Sequence, residues 1–314
     1  MKNFLDTLLQ IKAFMPLCSQ DQQALFSFEK QIIKRIRQDV KQTGTSDLFN
    51  LQSEDGNFLS HVSVMLNLNN LANEILKHNK LALAKNKKGE TMAFCAVNCN
   101  NFAVANKCLN NAELVKTKCN GTYFIFEATK LANSVPFLNN LIDNFPQYLT
   151  LKDEFHEHIG FYLVRNKKTK QAIKLIKERP EIAKLKNVDG DTMAHIAFDE
   201  QNLSVLQEWI DNKALRRIQN KYKQSVVHLI AIENRKPKLT LKACDDNIAL
   251  KQQDYLGNTP AHYFCSNSNY RLANLAFKVK GIHTIQNNKG QTITDIAREK
   301  NDLLSIANYT ENEK

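Results

Sequence analysis

Glycine and arginine are both scarce in this chain, and each scarcity excludes something. Only nine of 314 residues are Gly, and no Gly-rich phosphate loop, nucleophile elbow or kinase signature appears among them. Only nine of the 43 basic residues are Arg, whereas direct base readout leans on Arg. Seven Cys are present, Cys18, Cys95, Cys99, Cys108, Cys119, Cys244 and Cys265. They form no CxxC pair and no disulfide or zinc spacing, so they are expected to be small, mostly buried thiols of a reducing compartment. No apolar run approaches the 18 or more residues of a membrane span. After Met1-Lys2-Asn3 the apolar stretch is cut by Asp6 and Lys12, so no signal peptide is expected.

The hydrophobic content of 43% is that of a globular protein. The net charge of +11 allows an anionic partner: an acidic protein, nucleic acid or a membrane surface. The alternative source of the charge is codon bias. Lys is accompanied by abundant Asn and Ile, whose codons are also rich in A and T.

The chain repeats itself. Aligned on the Gly of "GNTPAH" (257–262), frames begin at Gly56, Gly89, Gly121, Asp153, Gly190, Lys223, Gly257 and Gly290. Their spacings are 33, 32, 32, 37, 33, 34 and 33 residues, and six of the nine Gly fall on this one register position. Gly tolerates positive φ, so it lets the chain turn sharply out of a hairpin. Thr192, Thr259 and Thr292 are placed at helix N-caps, their hydroxyls accepting from orphan N–H groups. Pro260 is placed at the first helical position, where it forfeits no hydrogen bond. His195 and His262 stand three residues after a Thr and can bond back to the cap.

The period and the octets "GDTMAHIA" (190–197), "GNTPAHYF" (257–264) and "GQTITDIA" (290–297) resemble the ankyrin repeat. The resemblance covers about 56–314 and implies an all-α solenoid of about eight helix-turn-helix repeats with short β-hairpin loops. On this reading residues 1–53 are an N-terminal helical cap or small helical module, and 54–314 are the solenoid. The cap contains an amphipathic segment at 3–15 and a helix with Ser19 and Gln22 in capping-box spacing. The last repeat closes with 301–309. Second helices carry the pairs Ile75/Leu76, Leu141/Ile142, Leu175/Ile176, Trp209/Ile210 and Leu303/Leu304. Asn69, Asn101, Asn133, Asn202, Asn269 and Asn301 are expected at the inter-helix turns, replacing Gly in the left-handed conformation.

The resemblance also implies where function lies. In such repeats the two residues before the frame Gly, and the one after, project from the hairpin tips toward a concave face and meet partners. These positions include Lys87, Lys88, Glu90, Asn120, Lys152, Val188, Asp189, Asp191, Lys221, Tyr222, Tyr255, Leu256, Asn258 and Lys289. Lys85, Lys116, Lys118, Lys184, Lys186 and Lys251 lie nearby in the same hairpins. The reading is a non-catalytic recognition module, not an enzyme, needing no cofactor or metal. It is expected to bind an acidic patch of another protein through a basic stripe and the Tyr222/Tyr255 pair.

A monomer in the cytoplasm is expected. The degenerate repeats, and Glu311 and Glu313 in the tail, resemble effectors that intracellular bacteria deliver into host cells. The alternatives are nucleic-acid binding along the Lys stripe, or an enzyme using His156 and His158 or the N-terminal helices. His61, His158, His195, His228 and His262 recur at one frame position, about 10 Å apart per repeat, too far for one metal.

One expectation tests the register. Thr259→Ala should cost about 1 kcal/mol through the lost cap, while Lys88→Ala should change stability by less than about 0.5 kcal/mol. Urea denaturation of both variants measures this, and equal costs would refute the frame.

Overall fold

The computed structural model describes residue 5, residues 19–233 and residues 237–300. The segment 3–15 apart from Leu5, the 301–309 helix with Leu303/Leu304 and Asn301, Cys18, the side chains of Ser19 and Gln22, and Glu311 and Glu313 lie outside the described residues or side chains. The chain divides after Glu154 into two compact units.

Unit 1 opens with α1 (Ser19–Thr43), followed by helix pairs α2 (Leu59–Met65) and α3 (Asn69–Ile75), then α4 (Met92–Asn98) and α5 (Phe102–Cys108). Next comes the pair α6 (Phe124–Glu127) and α7 (Val135–Asn144). First helices stack on first helices, α2 on α4 on α6, and second on second, α3 on α5 on α7. One two-stranded hairpin forms, β1 (Lys118–Cys119) with β2 (Thr122–Tyr123), antiparallel, with Lys118 opposite Tyr123. Its loop is Asn120-Gly121, both at positive φ (49° and 79°), the combination whose twist suits a two-residue hairpin.

Unit 2 holds α8 (Ile159–Arg165) with α9 (Thr169–Glu178), α10 (Met193–Asp199) with α11 (Leu203–Asp211), and α12 (Val226–Glu233) with α13 (Pro237–Ala243). The pair α14 (Pro260–Ser266) and α15 (Tyr270–Phe277) follows, and then α16 (Ile293–Glu299). The first helices α8, α10, α12, α14 and α16 stack in that order. A helix pair of seven to ten residues per arm cannot bury its own apolar face, and stacking supplies the rest of the core. Ile75, Leu141, Ile142, Leu175, Ile176, Trp209 and Ile210 are all buried. Trp209 is 0% exposed, a core residue rather than an anchor for a partner.

Three expectations need correction. The fourth frame begins at His156, not Asp153: His156 holds the left-handed turn at φ 59°, and α8 starts at Ile159 with His158 as its N-cap. The frame then sits 35 and 34 residues from Gly121 and Gly190. His158 is therefore not the frame histidine. Its Nδ1 accepts from the Gly160 N–H at 3.1 Å, so the His156/His158 corner is a turn and a cap. Lys152 and Leu151 leave the tip, and Phe155 enters it.

Second, none of the described inter-helix Asn residues takes the left-handed turn: Asn101, Asn202 and Asn269 are caps, Asn69 is the first residue of α3, and Asn133 lies in a 3-10 turn. The positive φ belongs to Asn67, Asn100, Lys167, Gln201 and Ser268. Asn101, Asn202 and Asn269 follow with ordinary φ, and their side chains accept from the N–H of Val104, Val205 and Leu272. Third, Cys99 is exposed and Cys244 half-buried, although Cys95, Cys108, Cys119 and Cys265 are buried. Burial pushes the thiols of Cys108 and Cys244 up to about 12, leaving little thiolate at neutral pH.

Helix α1 seals the first helix pair through two buried carboxylates. The first turn of α3 has no capping side chain of its own, and Glu29 of α1 accepts from the Leu71 N–H at 2.8 Å and from Asn70 Nδ2 at 2.9 Å. Glu74 of α3 takes a two-pronged bond from Arg37 of α1, at 3.1 and 2.7 Å. The Arg37 bond, helped by Lys77, holds the Glu74 carboxyl at about 2. Its folded value lies below the ordinary 4.5, so its contribution to stability is complete above that value and is lost as pH falls toward 2. Wild type should therefore lose more stability than Glu74→Gln between pH 5 and 3 in denaturation curves. Parallel pH profiles would show that this ion pair does not hold α1.

Candidate functional site

The hairpin tips are built by a polar residue three places before the left-handed position. Asn86 Oδ1 accepts from the N–H of Lys88 and of Glu90, both at 3.0 Å. Asn187 does the same for Asp189 and Asp191 (3.0 and 2.9 Å), and Asn220 for Tyr222 and Gln224 (both 3.0 Å). Asp254 serves Leu256 and Asn258 (both 2.9 Å), and Asn287 serves Lys289 and Gln291 (2.9 and 3.0 Å). In the first hairpin Ser53 Oγ accepts from Asn57 N–H at 3.1 Å. With its backbone bonded internally, each tip points side chains outward and spends none of them on the turn. This periodic Ser/Asn/Asp is written in the sequence at a fixed offset from the frame Gly and is a second signal of the repeat.

Successive tips bond to each other through backbone. Val188 N–H donates to Phe155 O at 3.0 Å, Tyr255 N–H to Tyr222 O at 2.9 Å, and Asn288 N–H to Leu256 O at 3.0 Å. At Gly190 and Gly257 the next hairpin lies so close that an added Cβ would stand 2.7 Å from the N of Lys221 or of Asn288. Gly there answers both positive φ and close approach. Lys223, at φ 56°, holds the same place in the sixth frame without Gly.

In four frames a histidine joins the first helix to the hairpin after it. In the first, fifth, sixth and seventh frames the N-cap backbone N–H donates to Nδ1 of His61, His195, His228 and His262, at 3.1, 3.2, 3.2 and 3.1 Å. The hydroxyls of Thr192, Ser225 and Thr259 reach the same nitrogen at 2.8, 2.9 and 2.8 Å. An accepting Nδ1 leaves the hydrogen on Nε2. Nε2 donates to the carbonyls of Glu90, Gln224, Gln252 and Gln291 in the following hairpin, at 2.8, 2.9, 3.0 and 3.2 Å. The Thr192 and Thr259 hydroxyls thus donate to histidine while completing a capping box with the backbone N–H three residues on. In the eighth frame Asp295 does the work, taking the N–H of Thr292 at 2.9 Å while Thr292 Oγ1 accepts from Asp295 N–H at 3.3 Å. Helix pairs, left-handed turns about every 33 residues and histidines bridging to the next hairpin define one architecture.

This is the ankyrin-repeat fold. No family model matches the chain, and no curated protein matches it. Among solved structures it is similar to the ankyrin repeat domain of Bcl-3, with 14% identity and a TM-score of 0.48, over 81% of this chain and 100% of that one. It is also similar to a chain of the Bdellovibrio bacteriovorus complex of the predatory endopeptidase Bd0816 with immunity protein Bd3460. There the identity is 16% and the TM-score 0.44, over 60% of this chain and 96% of that one. The assignment rests on the repeat geometry and not on these likenesses.

The ankyrin tips carry two kinds of side chain. Those of unit 1 are polar: Glu54, Asp55, Lys87, Lys88 and Asn120 are exposed. Lys87 Nζ donates to Glu54 O at 2.6 Å. Lys85 Nζ reaches Lys118 O at 3.3 Å, and Lys118 lies over the Tyr123 ring at 5.0 Å. Glu90 is drawn to Asn86 and Asn98. In unit 2 Lys186 donates to Gln219 O at 2.5 Å, and Lys221 forms an ion pair with Asp189. Asp191 accepts from Asn220 and Asn258 from Asn287, while Lys289 is exposed. The expected basic stripe is therefore partly bonded within the stack.

Five tip side chains of unit 2 are instead apolar and open to solvent: Phe155 57%, Val188 54%, Tyr222 53%, Tyr255 67% and Leu256 49% exposed. Between the last two hairpins runs a groove of about 490 Å³ lined by Leu256, Asn258, Tyr263, Ser266, Lys289 and Glu299, among others. Tyr263 OH donates to Asp254 there at 2.5 Å. Among the described residues no group of three His, Cys, Asp or Glu is arranged to hold a metal. No described helix is long and apolar enough to cross a membrane.

Burial lowers the pKa of His61, His195, His228 and His262, and holds His228 at about 4. The folded value lies below the unfolded 6.5, so the unfolded chain takes up protons first as pH falls. Stability due to these bridges is whole above pH 6.5 and drains as pH falls toward 4. Thermal melts of wild type should fall across that window, and more steeply than those of His228→Gln. A wild-type Tm flat from pH 7 to 4.5 would refute neutral bridging histidines.

Proposed function

We infer that this chain is a non-catalytic protein-recognition module that grips its partner with the ankyrin hairpin tips and the adjoining ends of the first helices. The observation that carries the reading is the row of five exposed apolar tip residues in unit 2. About half or more of each residue faces water on rungs bonded to one another, and clustered exposed apolar side chains are characteristic of a partner site. Tyr is among the residues that dominate interface energetics, since it buries much area at little entropic cost. The Lys residues of the unit 1 tips, Lys87, Lys88 and Lys118, suit an acidic area of a partner. The Lys-, Asn- and Ile-rich composition of degenerate ankyrin repeats favours an effector acting in a host cell. Nucleic acid is the weaker reading, because carboxylates share the unit 2 tips with the lysines and would repel phosphate.

A pull-down from eukaryotic lysate, read by mass spectrometry, tests the module. Three full-length proteins run side by side: wild type, Tyr222→Ala/Tyr255→Ala, and a variant with Lys87, Lys88, Lys118, Lys186 and Lys221 changed to Glu. A discrete partner held by wild type and lost by the Tyr variant is expected, each Tyr contributing about 2 kcal/mol. Equal recovery by all three would remove the tips from the binding site.

A further inference from the structure

The chemistry of the unit 2 tips differs from what the net charge of +11 suggests, and it specifies a partner. The repeat between the apolar rungs Phe155 and Tyr222 is acidic. Val188 stands there beside exposed Asp189 and half-buried Asp191, and the end of its first helix adds exposed Asp199 and Glu200. The helix end and the tip share one face. Ser266 and Glu299, each nine residues after its frame Gly as Asp199 is after Gly190, line the groove together with the tip residues Leu256 and Asn258. Gln291 Nε2 likewise reaches Glu299 Oε1 at 2.8 Å, and Arg165 pairs with Glu157 across the same two positions.

Around the Val188 repeat Arg165, Lys186 and Lys221 are held by the protein itself, while Lys289 and Lys300 stand exposed at the last groove. Arg165 is held by Glu157. Lys221 pairs with Asp189 and lies 5.2 Å from the Tyr222 ring centre, and Lys186 bonds a backbone carbonyl. Asp191, Asp199 and Glu200 add three further carboxylates beside that set. A partner seated on Phe155, Val188 and Tyr222 would bring its own charges against them. An acidic partner would meet like charge at close range, which costs affinity, whereas lysine or arginine gains it.

We propose that the unit 2 tip face takes a polypeptide segment in which aromatic or aliphatic side chains are flanked by lysine or arginine. This rests on the reading of the tips as the docking face and replaces, for unit 2, an acidic partner with a basic one. The apolar side chains cover the Phe155, Val188, Tyr222, Tyr255 and Leu256 row, and the cations meet the repeat that carries Asp191, Asp199 and Glu200.

The test is panning of phage-displayed random peptides on the immobilised full-length chain, followed by anisotropy titration of the enriched peptide. Two variants are compared with wild type: Asp191→Asn/Asp199→Asn/Glu200→Gln, which keeps side-chain shape, and Tyr222→Ala/Tyr255→Ala/Leu256→Ala. Circular dichroism melts establish that both fold. The expected peptides combine aromatic or aliphatic residues with Lys or Arg. Their affinity should drop about 10-fold in each variant, and in the carboxylate variant the loss should shrink as salt rises. Enriched peptides that are acidic, or basic ones indifferent to the carboxylate variant, would overturn the basic partner. If they were still lost with the Tyr222/Tyr255/Leu256 variant, the tips would remain the docking face. Peptides indifferent to both variants, or no enrichment at all, would overturn the docking face as well. Concentration-dependent self-association of wild type that the tip variant abolishes would assign the face to a second copy of this chain and overturn the proposal.

Discussion

A neutral imidazole buried between one helix and the next hairpin is the interaction on which the stack depends. An N-cap N–H must find an acceptor, and the facing hairpin carbonyl must find a donor, in a place closed to water. Neutral histidine offers both on opposite edges of one rigid ring. The bond from His195 to Gln224 O therefore sets the distance and rotation between two repeats as well as capping a helix. The second repeat shows what happens without it. Phe94 stands where the histidine would be, and Thr91 Oγ1 is buried with no hydrogen-bond partner. Aromatic packing replaces the bridge, with Phe94 edge-on to Phe124 at 6.3 Å and Phe124 against Phe137 at 6.2 Å. Contact is kept without a bridging hydrogen bond, and the first helix of the third repeat spans only Phe124–Glu127 before passing into a 3-10 turn.

Asparagine does for this chain much of what glycine does in other repeats, and more. Asn67 and Asn100 adopt the left-handed turn. Asn101, Asn111, Asn202, Asn212 and Asn269 cap helices. Others form rungs between repeats: Asn86 Nδ2 to Asn57 Oδ1 at 3.0 Å, Asn111 to Asn79 at 2.8 Å, Asn140 to Asn106 at 2.8 Å and Asn287 to Asn258 at 3.0 Å. The amide carries a donor and an acceptor, so identical residues in successive repeats satisfy each other. An Asn-rich composition reads as codon bias in the sequence, yet in the structure it is a set of bonds.

How far the sequence could be read follows from which residues do a single job. Gly56, Gly89, Gly121, Gly190, Gly257 and Gly290 all take positive φ, because only that conformation makes Gly worth keeping at a fixed place. The fourth frame misled because two jobs changed hands together. His156 took the turn, and His158, drawn into alignment as the frame histidine, took the cap. Asn101, Asn202 and Asn269 were displaced from the turn by a single residue, since Asn suits a left-handed turn and an N-cap alike. Tyr222, Tyr255, Val188 and Leu256 were legible as tip residues by counting from Gly. Phe155 was not, because it lay behind the shifted frame. That the lysines nearby bond to carbonyls and to Asp189 depends on the neighbouring repeat, and no single frame contains it.

The bonding of the tips also constrains how this protein can recognise anything. Asx side chains inside each turn, and backbone bonds from one hairpin to the next, consume the N–H and C=O groups that a partner strand would need to extend a sheet. On the proposed reading, recognition is left to the side chains at the two positions before the left-handed residue and the one after it. Those positions also join neighbouring repeats, as Asp191 does with Asn220 and Asn258 with Asn287, but through surface side chains rather than through the turn itself. They are free to be Lys-Lys in one repeat and Tyr-Leu in another without disturbing the histidine bridges beneath. The fold is thus indifferent to its own binding chemistry, and the chemistry can differ in kind between the two units of one chain.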